Sequence, residues 1–331
     1  MPHCLSRNQL MCQFLNRVKF SNGVQCYNVI NRSFLATLLR KLVKKSMASF
    51  NSNDILIKDF CSRLNQTYCK MFDHRHPEHA HLIENAAIMS LEIIANSDAL
   101  YHTMEHTMMV TLVGQEILRG KLLKEGSVSS QDWVQFIISL LCHDIGYVRG
   151  ICEGDSQDSA VIDDAGNTIA IPDEATDVFL APYHIERGKL FVETRFGNNE
   201  LIDANVIITN IENTRFPVPL SSDKKDGKSY AGLVRAADLI GQLADPDYIR
   251  KLPALFYEFT EIGADKAMGY ESFDDLKVNY PDFFWAMVSP HIPEAIAYLQ
   301  ITREGRLWIA GLYNHIFSEE HREEKTAHQE L

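Results

Sequence analysis

Apolar residues recur at spacings of three and four along most of the chain from residue 54 onward. That spacing is the period of an amphipathic α-helix, because residues three or four apart share one helical face. The stretch NDILIKDFCSRLNQTYCKMF, residues 53–72, is one example. The same pattern returns in five later segments, 97–121, 129–147, 183–196, 229–245 and 250–317. With no internal repeat and no convincing strand-like alternation, the chain is predicted to be all-α.

Polar residues and glycines mark the expected ends of two of these helices. Short polar side chains favour the N-cap, and glycine favours the position after the last turn. The candidate N-caps are Ser97 or Asp98 for the first helix and Ser129 or Ser130 for the second, and the candidate stops are Gly120 and Gly146.

Residues 151–177 interrupt the helical pattern. The segment is acidic and contains DDAGNT, whose residues favour turns. We expect one irregular insert in the helical bundle. It is either a lid that closes over a pocket or a passive surface excursion.

The N-terminal residues differ in charge from the rest of the chain. Residues 1–53 contain eight basic residues and no Asp or Glu, whereas the other 278 residues carry 24 basic and 44 acidic ones. SFLATLLRKLVKKS, residues 33–46, predicts a basic amphipathic helix. Such a segment suits an organelle transit peptide or a membrane-surface helix. The alternatives are a structural helix and a true start at Met47.

Composition limits the partners and the compartment. The chain is 46% hydrophobic and has a net charge of -12, and its acidic body lacks the basic surface that a nucleic-acid polymer requires. The seven cysteines are odd in number and irregularly spaced, which favours a reducing compartment. No apolar run is long enough to span a bilayer. We expect a cytoplasmic protein, or one targeted to an organelle through residues 1–46, with its oligomeric state left open.

The expected domain organisation follows from these differences. Residues 1–53 form a basic extension that is transit-like or disordered. Residues 54–318 form one helical domain, long enough to bury a sizeable core. Residues 319–331 form a polar tail.

Five residues with metal-ligating side chains follow in a spaced order. His102 and His106 are four apart in YHTMEHTMMV, so a helix here would bring both to one face. His143 and Asp144 follow in LLCHDIGY, and Asp238 lies in RAADLIGQ among mostly apolar or small residues. A carboxylate in that setting is costly unless it is paired or binds a metal. Each element is weak by itself, but their order predicts a metal site.

The series His106, His143–Asp144 and Asp238 resembles the H…HD…D signature of the HD-domain superfamily of metal-dependent phosphohydrolases. YHTMEHTMMV is also similar to the Y-H-N-x-x-H-x-x-x-V stretch of cyclic-nucleotide phosphodiesterases, a branch of that superfamily. The resemblance covers roughly residues 95–245. It implies a multi-helix HD-domain bundle in which these four residues ligate metal and His102 protonates the leaving oxygen. Asp144 would also orient the attacking hydroxide if it bridges two ions.

Two positions differ from the phosphodiesterase pattern. Thr103 replaces an asparagine, and Tyr147 replaces the histidine that follows the HD pair in that branch. APYHIERGK offers His184 as a further metal ligand, as in several branches of the superfamily. Arg187 and Lys189 beside it are candidate substrate contacts, because they could meet phosphate oxygens.

The resemblance implies metal-dependent hydrolysis of a small phosphoester, with a nucleotide as the expected substrate. One or two divalent ions would be the cofactor, drawn from Zn, Mn, Mg, Fe and Ni. His102 and Asp144 would be the catalytic residues. An HD-type di-iron oxygenase and a non-catalytic sensor of metal or nucleotide are the alternatives.

Overall fold

The computed structural model describes residues 51–218 and 227–321, and these residues confirm the all-α prediction. Seven α-helices precede residue 245: α1 (Ser52–Phe72), α2 (Pro77–Ile94), α3 (Met104–Glu125), α4 (Ser130–Cys142), α5 (His184–Phe196), α6 (Ala204–Glu212) and α7 (Tyr230–Leu243). Six follow it: α8 (Tyr248–Glu261), α9 (Ala264–Met268), α10 (Phe273–Val278), α11 (Tyr280–Phe283), α12 (Pro293–Leu299) and α13 (Arg303–Glu320). Short 3₁₀ or π turns lie at Ile145–Tyr147, Asp177–Tyr183, Phe284–Val288 and Ser289–His291.

Helix α3 lies at the centre of the fold. It packs against α7, α4, α12 and α13, so it has little face left for solvent. Val110, Val113 and Ile117 of α3 are completely buried. One hydrophobic core extends from Ile57 in α1 to Ile316 in α13. A helix that is buried on most sides is expected at the middle of such a core.

The helix boundaries confirm some of the predicted ends and correct others. Ser129 caps α4, with its side chain accepting from the N–H of Asp132 and the Asp132 carboxylate accepting in return. Helix α3 starts later than predicted, after Thr103, and ends at Glu125, where Gly126 forms the C-cap in the left-handed conformation. Gly120 lies inside α3, where a side chain would overlap with the backbone of Tyr298.

The predicted irregular insert contains a small hairpin. Strand β1 (Ser159–Val161) pairs antiparallel with β2 (Thr168–Ala170). The strands are only three residues long, which is too short for an alternating pattern to stand out in the sequence. The hairpin is followed by the 3₁₀ turn that leads into α5.

The predictions for residues 1–50 and 322–331 lie outside the described residues. The proposed domain boundaries at residues 53 and 318 stay predictions. Across residues 51–218 and 227–321, no helix combines the length and the apolar character that crossing a bilayer requires.

Candidate metal centre

Three of the predicted ligands converge in the interior of the protein. His106 lies in the first turn of α3, and His143 is the C-cap residue that follows the last residue of α4. Asp144 turns out of the helix with φ -103° and ψ 3°, so its side chain is aimed to the same side as that of His143. Its Oδ2 lies 3.2 Å from Nε2 of His106 and 3.1 Å from Nε2 of His143. All three residues are buried and are close enough together to hold one metal ion.

Two further predicted ligands lie next to this group. Helix α7 brings Oδ1 of Asp238 to 3.7 Å from Nε2 of His106 and 3.5 Å from Nε2 of His143. His184, the first residue of α5, places its Nε2 4.0 Å from Oδ1 of Asp144. The two oxygens of Asp144 thus face different histidines, with His106 and His143 near Oδ2 and His184 near Oδ1.

Backbone carbonyls orient two of the imidazoles. Nδ1 of His143 donates to the carbonyl of Leu140 at 2.7 Å, and Nδ1 of His184 donates to that of Ala181 at 2.5 Å. In the neutral tautomer that these bonds select, each Nε2 carries a lone pair. Hydrogen bonding of the second ring nitrogen to a carbonyl is also the usual support of a metal-bound histidine.

The chemistry of this group fits a divalent metal. Nε2 of His143 and Oδ2 of Asp144 are both buried and have no hydrogen-bond partner. Two lone pairs 3.1 Å apart repel each other unless a cation lies beside them. Imidazoles combined with carboxylates suit zinc, manganese, iron or nickel. A shared cation would thus satisfy atoms that would otherwise be costly to bury.

The electrostatics of the group also favour positive charge. Burial lowers the pKa of His143, but the Asp144 and Asp238 carboxylates outweigh it and raise that pKa well above its usual value. Burial opposes ionisation of Asp144, yet the neighbouring histidines hold its pKa well below the usual range. Burial lowers the pKa of His184. Protons and a metal ion therefore compete for the same place.

His102 does not lie in the helix that carries His106, so the predicted shared helical face is wrong. It precedes Thr103, the N-cap of α3, and belongs to the connection between α2 and α3. Its ring centroid is nevertheless 5.7 Å from that of His106. Nδ1 of His102 contacts Oε2 of Glu258 at 2.5 Å. Residues ahead of the cap are free of helical geometry, which lets the imidazole turn toward α8.

Glu258 is the residue of this site that the sequence analysis missed. It lies in α8 with its side chain 3% exposed, and its Oε1 accepts from the backbone N–H of Tyr101 at 2.6 Å. The available signal was a carboxylate within the run LPALFYEFTEI, whose other residues are mostly apolar. The same signal had drawn attention to Asp238.

A family model matches residues 50–322, which include every site residue described above. The chain belongs to the Npun_R2479-like family. No curated protein and no solved structure matches the chain. The match names a family without naming an activity, and it does not assign the chain to the HD-domain superfamily.

Arg187 of this Npun_R2479-like chain is not placed to bind a substrate, contrary to the expectation from sequence. Its side chain is completely buried, and it forms an ion pair with Asp155 at 3.0 Å. The remaining guanidinium hydrogens go to the carbonyls of Gly146, Val148 and Val161. All five donors are therefore used within the protein.

Lys189 is also engaged by protein groups. Its Nζ lies 3.1 Å from the Glu186 carboxylate and pairs with that of Glu212 as well. Arg215 bonds to the same two carboxylates. In this Npun_R2479-like protein the two cations thus belong to a partly exposed network of ion pairs, and a role for Lys189 in binding phosphate stays a prediction.

Proposed function

We propose that this protein is a metal-dependent phosphohydrolase of the HD type that hydrolyses a small phosphoester, with a nucleotide as the expected substrate. The observation that carries the proposal is the buried group of His106, His143 and Asp144, with its unpartnered Nε2 and Oδ2 atoms. Its support is the His102–Glu258 pair beside that group. The buried group would provide the ligand atoms for a metal ion, and the His102–Glu258 pair would provide a proton.

His106, His143, Asp144 and Asp238 would hold the metal. When bound, the ion would supply charge neutralisation for a phosphoryl group and a water of lowered pKa. His184 faces the other oxygen of Asp144 and is the natural ligand for a second ion. The protein's own contribution is a group of buried ligand atoms that are oriented before substrate arrives.

His102 would serve as the general acid. Burial alone lowers its pKa, but the Glu258 carboxylate more than offsets this effect and raises the pKa above its usual value. With Nδ1 bound to Glu258, the proton for transfer is the one on Nε2. It would pass to the oxygen of the departing alcohol as the phosphoester bond breaks.

The test combines metal analysis with a substrate screen on the purified full-length protein. Elemental analysis is followed by assays of cyclic nucleotides, nucleoside monophosphates and p-nitrophenyl phosphate esters with each candidate metal. We expect hydrolysis of at least one phosphoester and its loss in Asp144→Ala. Bound iron with oxygen consumption and no hydrolysis would instead identify an oxygenase. Metal or nucleotide binding without any turnover would identify a sensor.

A further inference from the structure

Tyr147 lies between two imidazoles of the candidate site. Its ring centroid is 4.5 Å from that of His102, with the planes 15° apart. On its other side the centroid of His184 is 4.6 Å away, with the planes 30° apart. The three rings therefore form one stack at the edge of the metal group, in which Tyr147 is buried and the side chains of His102 and His184 are 18% and 19% exposed. Tyr147 is also the residue that stands where the phosphodiesterase pattern has a histidine.

The backbone around Tyr147 is fastened to α5. The carbonyl of the preceding residue, Gly146, accepts from Nε of Arg187 at 2.8 Å. The carbonyl of the following residue, Val148, accepts from Nη2 of the same side chain, also at 2.8 Å. Arg187 is one turn beyond His184 on α5, so Tyr147 and His184 are held by a common support. The buried guanidinium of Arg187 therefore has a structural role, which is to hold the backbone on both sides of Tyr147.

The Tyr147 ring restricts the tilt of the His102 and His184 imidazole planes, which the hydrogen bonds of the two histidines do not fix. Glu258 fixes one atom of His102, Nδ1, and the Ala181 carbonyl fixes one atom of His184. A single hydrogen bond leaves the imidazole plane free to tilt about the bonded atom. A flat ring stacked at about 4.5 Å limits that tilt, because aromatic rings lose contact when they rotate out of register.

We propose that Tyr147 is a positioning residue whose ring fixes the imidazole planes of His102 and His184 on either side of the metal group. This role rests on the proposed function, in which His102 donates a proton and His184 binds metal. The aromatic ring of Tyr147 is what holds the two imidazole planes, and its phenolic hydroxyl is not required for this role. Loss of the ring misdirects the proton donor while the deeper ligands His106, His143 and Asp144 keep their places.

The kinetic test compares Tyr147→Met, which keeps side-chain bulk without a flat ring, with the conservative Tyr147→Phe. Each variant is assayed on the best nucleotide ester, whose leaving group is a ribose alkoxide, and on a p-nitrophenyl ester. We expect Tyr147→Met to lose roughly 10- to 100-fold in kcat on the nucleotide, a part of the roughly 10²–10⁴-fold that a general acid contributes, because His102 is misdirected but still present. The loss on the p-nitrophenyl ester is much smaller, because that group departs without a proton. Tyr147→Phe should recover most of the lost rate.

A chemical modification experiment tests the packing of Tyr147 against His102 without requiring enzymatic turnover. Modification of His102 by diethyl pyrocarbonate is followed by mass spectrometry, with the exposed His81 as internal reference. We expect faster modification of His102 in Tyr147→Met than in the wild type and in Tyr147→Phe. If the wild type hydrolyses no phosphoester, the proposed function fails, yet this measurement still tests the stack.

Three results would overturn the positioning role. One is an equal loss of rate on both esters in Tyr147→Met with metal content retained. Another is a loss of roughly 10-fold or more in Tyr147→Phe relative to the wild type, which would assign the role to the hydroxyl and remains decisive even if the Met variant does not fold. The third is unchanged modification of His102 in a folded Tyr147→Met protein.

Discussion

Oε2 of Glu258 lies 2.5 Å from Nδ1 of His102, although 156 residues separate them in the chain. Oε1 of the same carboxylate accepts from the backbone N–H of Tyr101 and of His102, so Glu258 grips both the imidazole and the main chain that carries it. Helix α8 thereby sets the position of a residue in the connection before α3. The pair also sets the charge of His102, because a buried carboxylate favours the imidazolium form.

The first prediction concerns the pH dependence of catalysis. Glu258→Gln removes the charge that raises the pKa of His102, so that pKa should fall. A general acid works while protonated, and its contribution is lost as pH rises through its pKa. The alkaline limb of the kcat profile should therefore move to lower pH in Glu258→Gln. At pH 8 the rate on an alkoxide leaving group should drop at least about tenfold.

Glu261→Gln is the matched control for this experiment. Glu261 lies one turn further along α8 and bonds to Thr176 of the insert at 2.6 Å and 2.8 Å. Its replacement should leave the alkaline limb in place. An unchanged limb in Glu258→Gln would show that His102 is not the group that titrates.

The second prediction concerns the metal. Asp144 contributes both oxygens to the histidine group, so Asp144→Ala should lose bound metal and phosphohydrolase activity together. Elemental analysis of the purified variant measures the first loss directly. Asp59→Asn, which alters an exposed carboxylate in α1, should retain the metal content of the wild type. Full metal occupancy in Asp144→Ala would rule out the site as described.

The third prediction concerns stability. Asp155→Asn leaves the completely buried guanidinium of Arg187 without its counter-charge. Breaking a buried pair by removing one partner costs about 3–5 kcal/mol of unfolding free energy. Urea denaturation measures the change. Asp59→Asn breaks the exposed pair with Arg63 and should cost less than about 1 kcal/mol.

The pH dependence of this difference is a further check on the buried pair. Burial opposes ionisation of Asp155, but its bonds to Arg187 outweigh burial and hold its pKa below the usual value. The stabilisation is therefore present above the unfolded pKa of about 4 and is lost as pH falls through the lower folded pKa. Wild type and Asp155→Asn should differ equally at pH 7 and pH 5 and converge below about pH 4. A constant difference down to pH 2 would contradict the assignment.

The fourth prediction concerns the close approach of α5 to the metal group. A methyl group on Gly146 would overlap with the backbone carbonyl of His184. Gly146→Ala should therefore displace the start of α5, lower the melting temperature and weaken metal binding. Gly188→Ala on the same helix meets nothing nearer than 3.6 Å and should be neutral or slightly stabilising. Equal melting temperatures for the two variants would argue against this contact.

The fifth prediction concerns the N-terminus. The family match begins at residue 50, and the basic, acid-free segment precedes it. A chain that starts at Met47 should keep the melting temperature, the metal content and the turnover of the full-length protein. Aggregation of the shortened chain, or loss of its activity, would show that residues 33–46 pack on the helical domain.

Features that depend on neighbours within a few residues could be predicted from the amino-acid sequence. Apolar spacing was sufficient for the helical class, and Ser129 marked the start of α4 because a capping box closes within one turn. The sequence also singled out His106, His143 and Asp144 by their order and chemistry, and the fold brings these three together. Helical periodicity and the order of metal-ligating residue types can both be recognised in an amino-acid sequence.

The contacts by which the parts of the site support one another became visible in the folded protein alone. Apolar spacing extended α3 over His102, but the chain ahead of Thr103 is shaped by its contact with Glu258 in α8. Arg187, which looked like a phosphate contact, is consumed by carbonyls of a loop that precedes it by about 40 residues. The residues that flank Arg187 in the sequence do not reveal these bonds, because a guanidinium can donate equally well to a phosphate and to several backbone carbonyls. Packing chooses between them, since only packing determines which acceptors lie within reach once water is excluded.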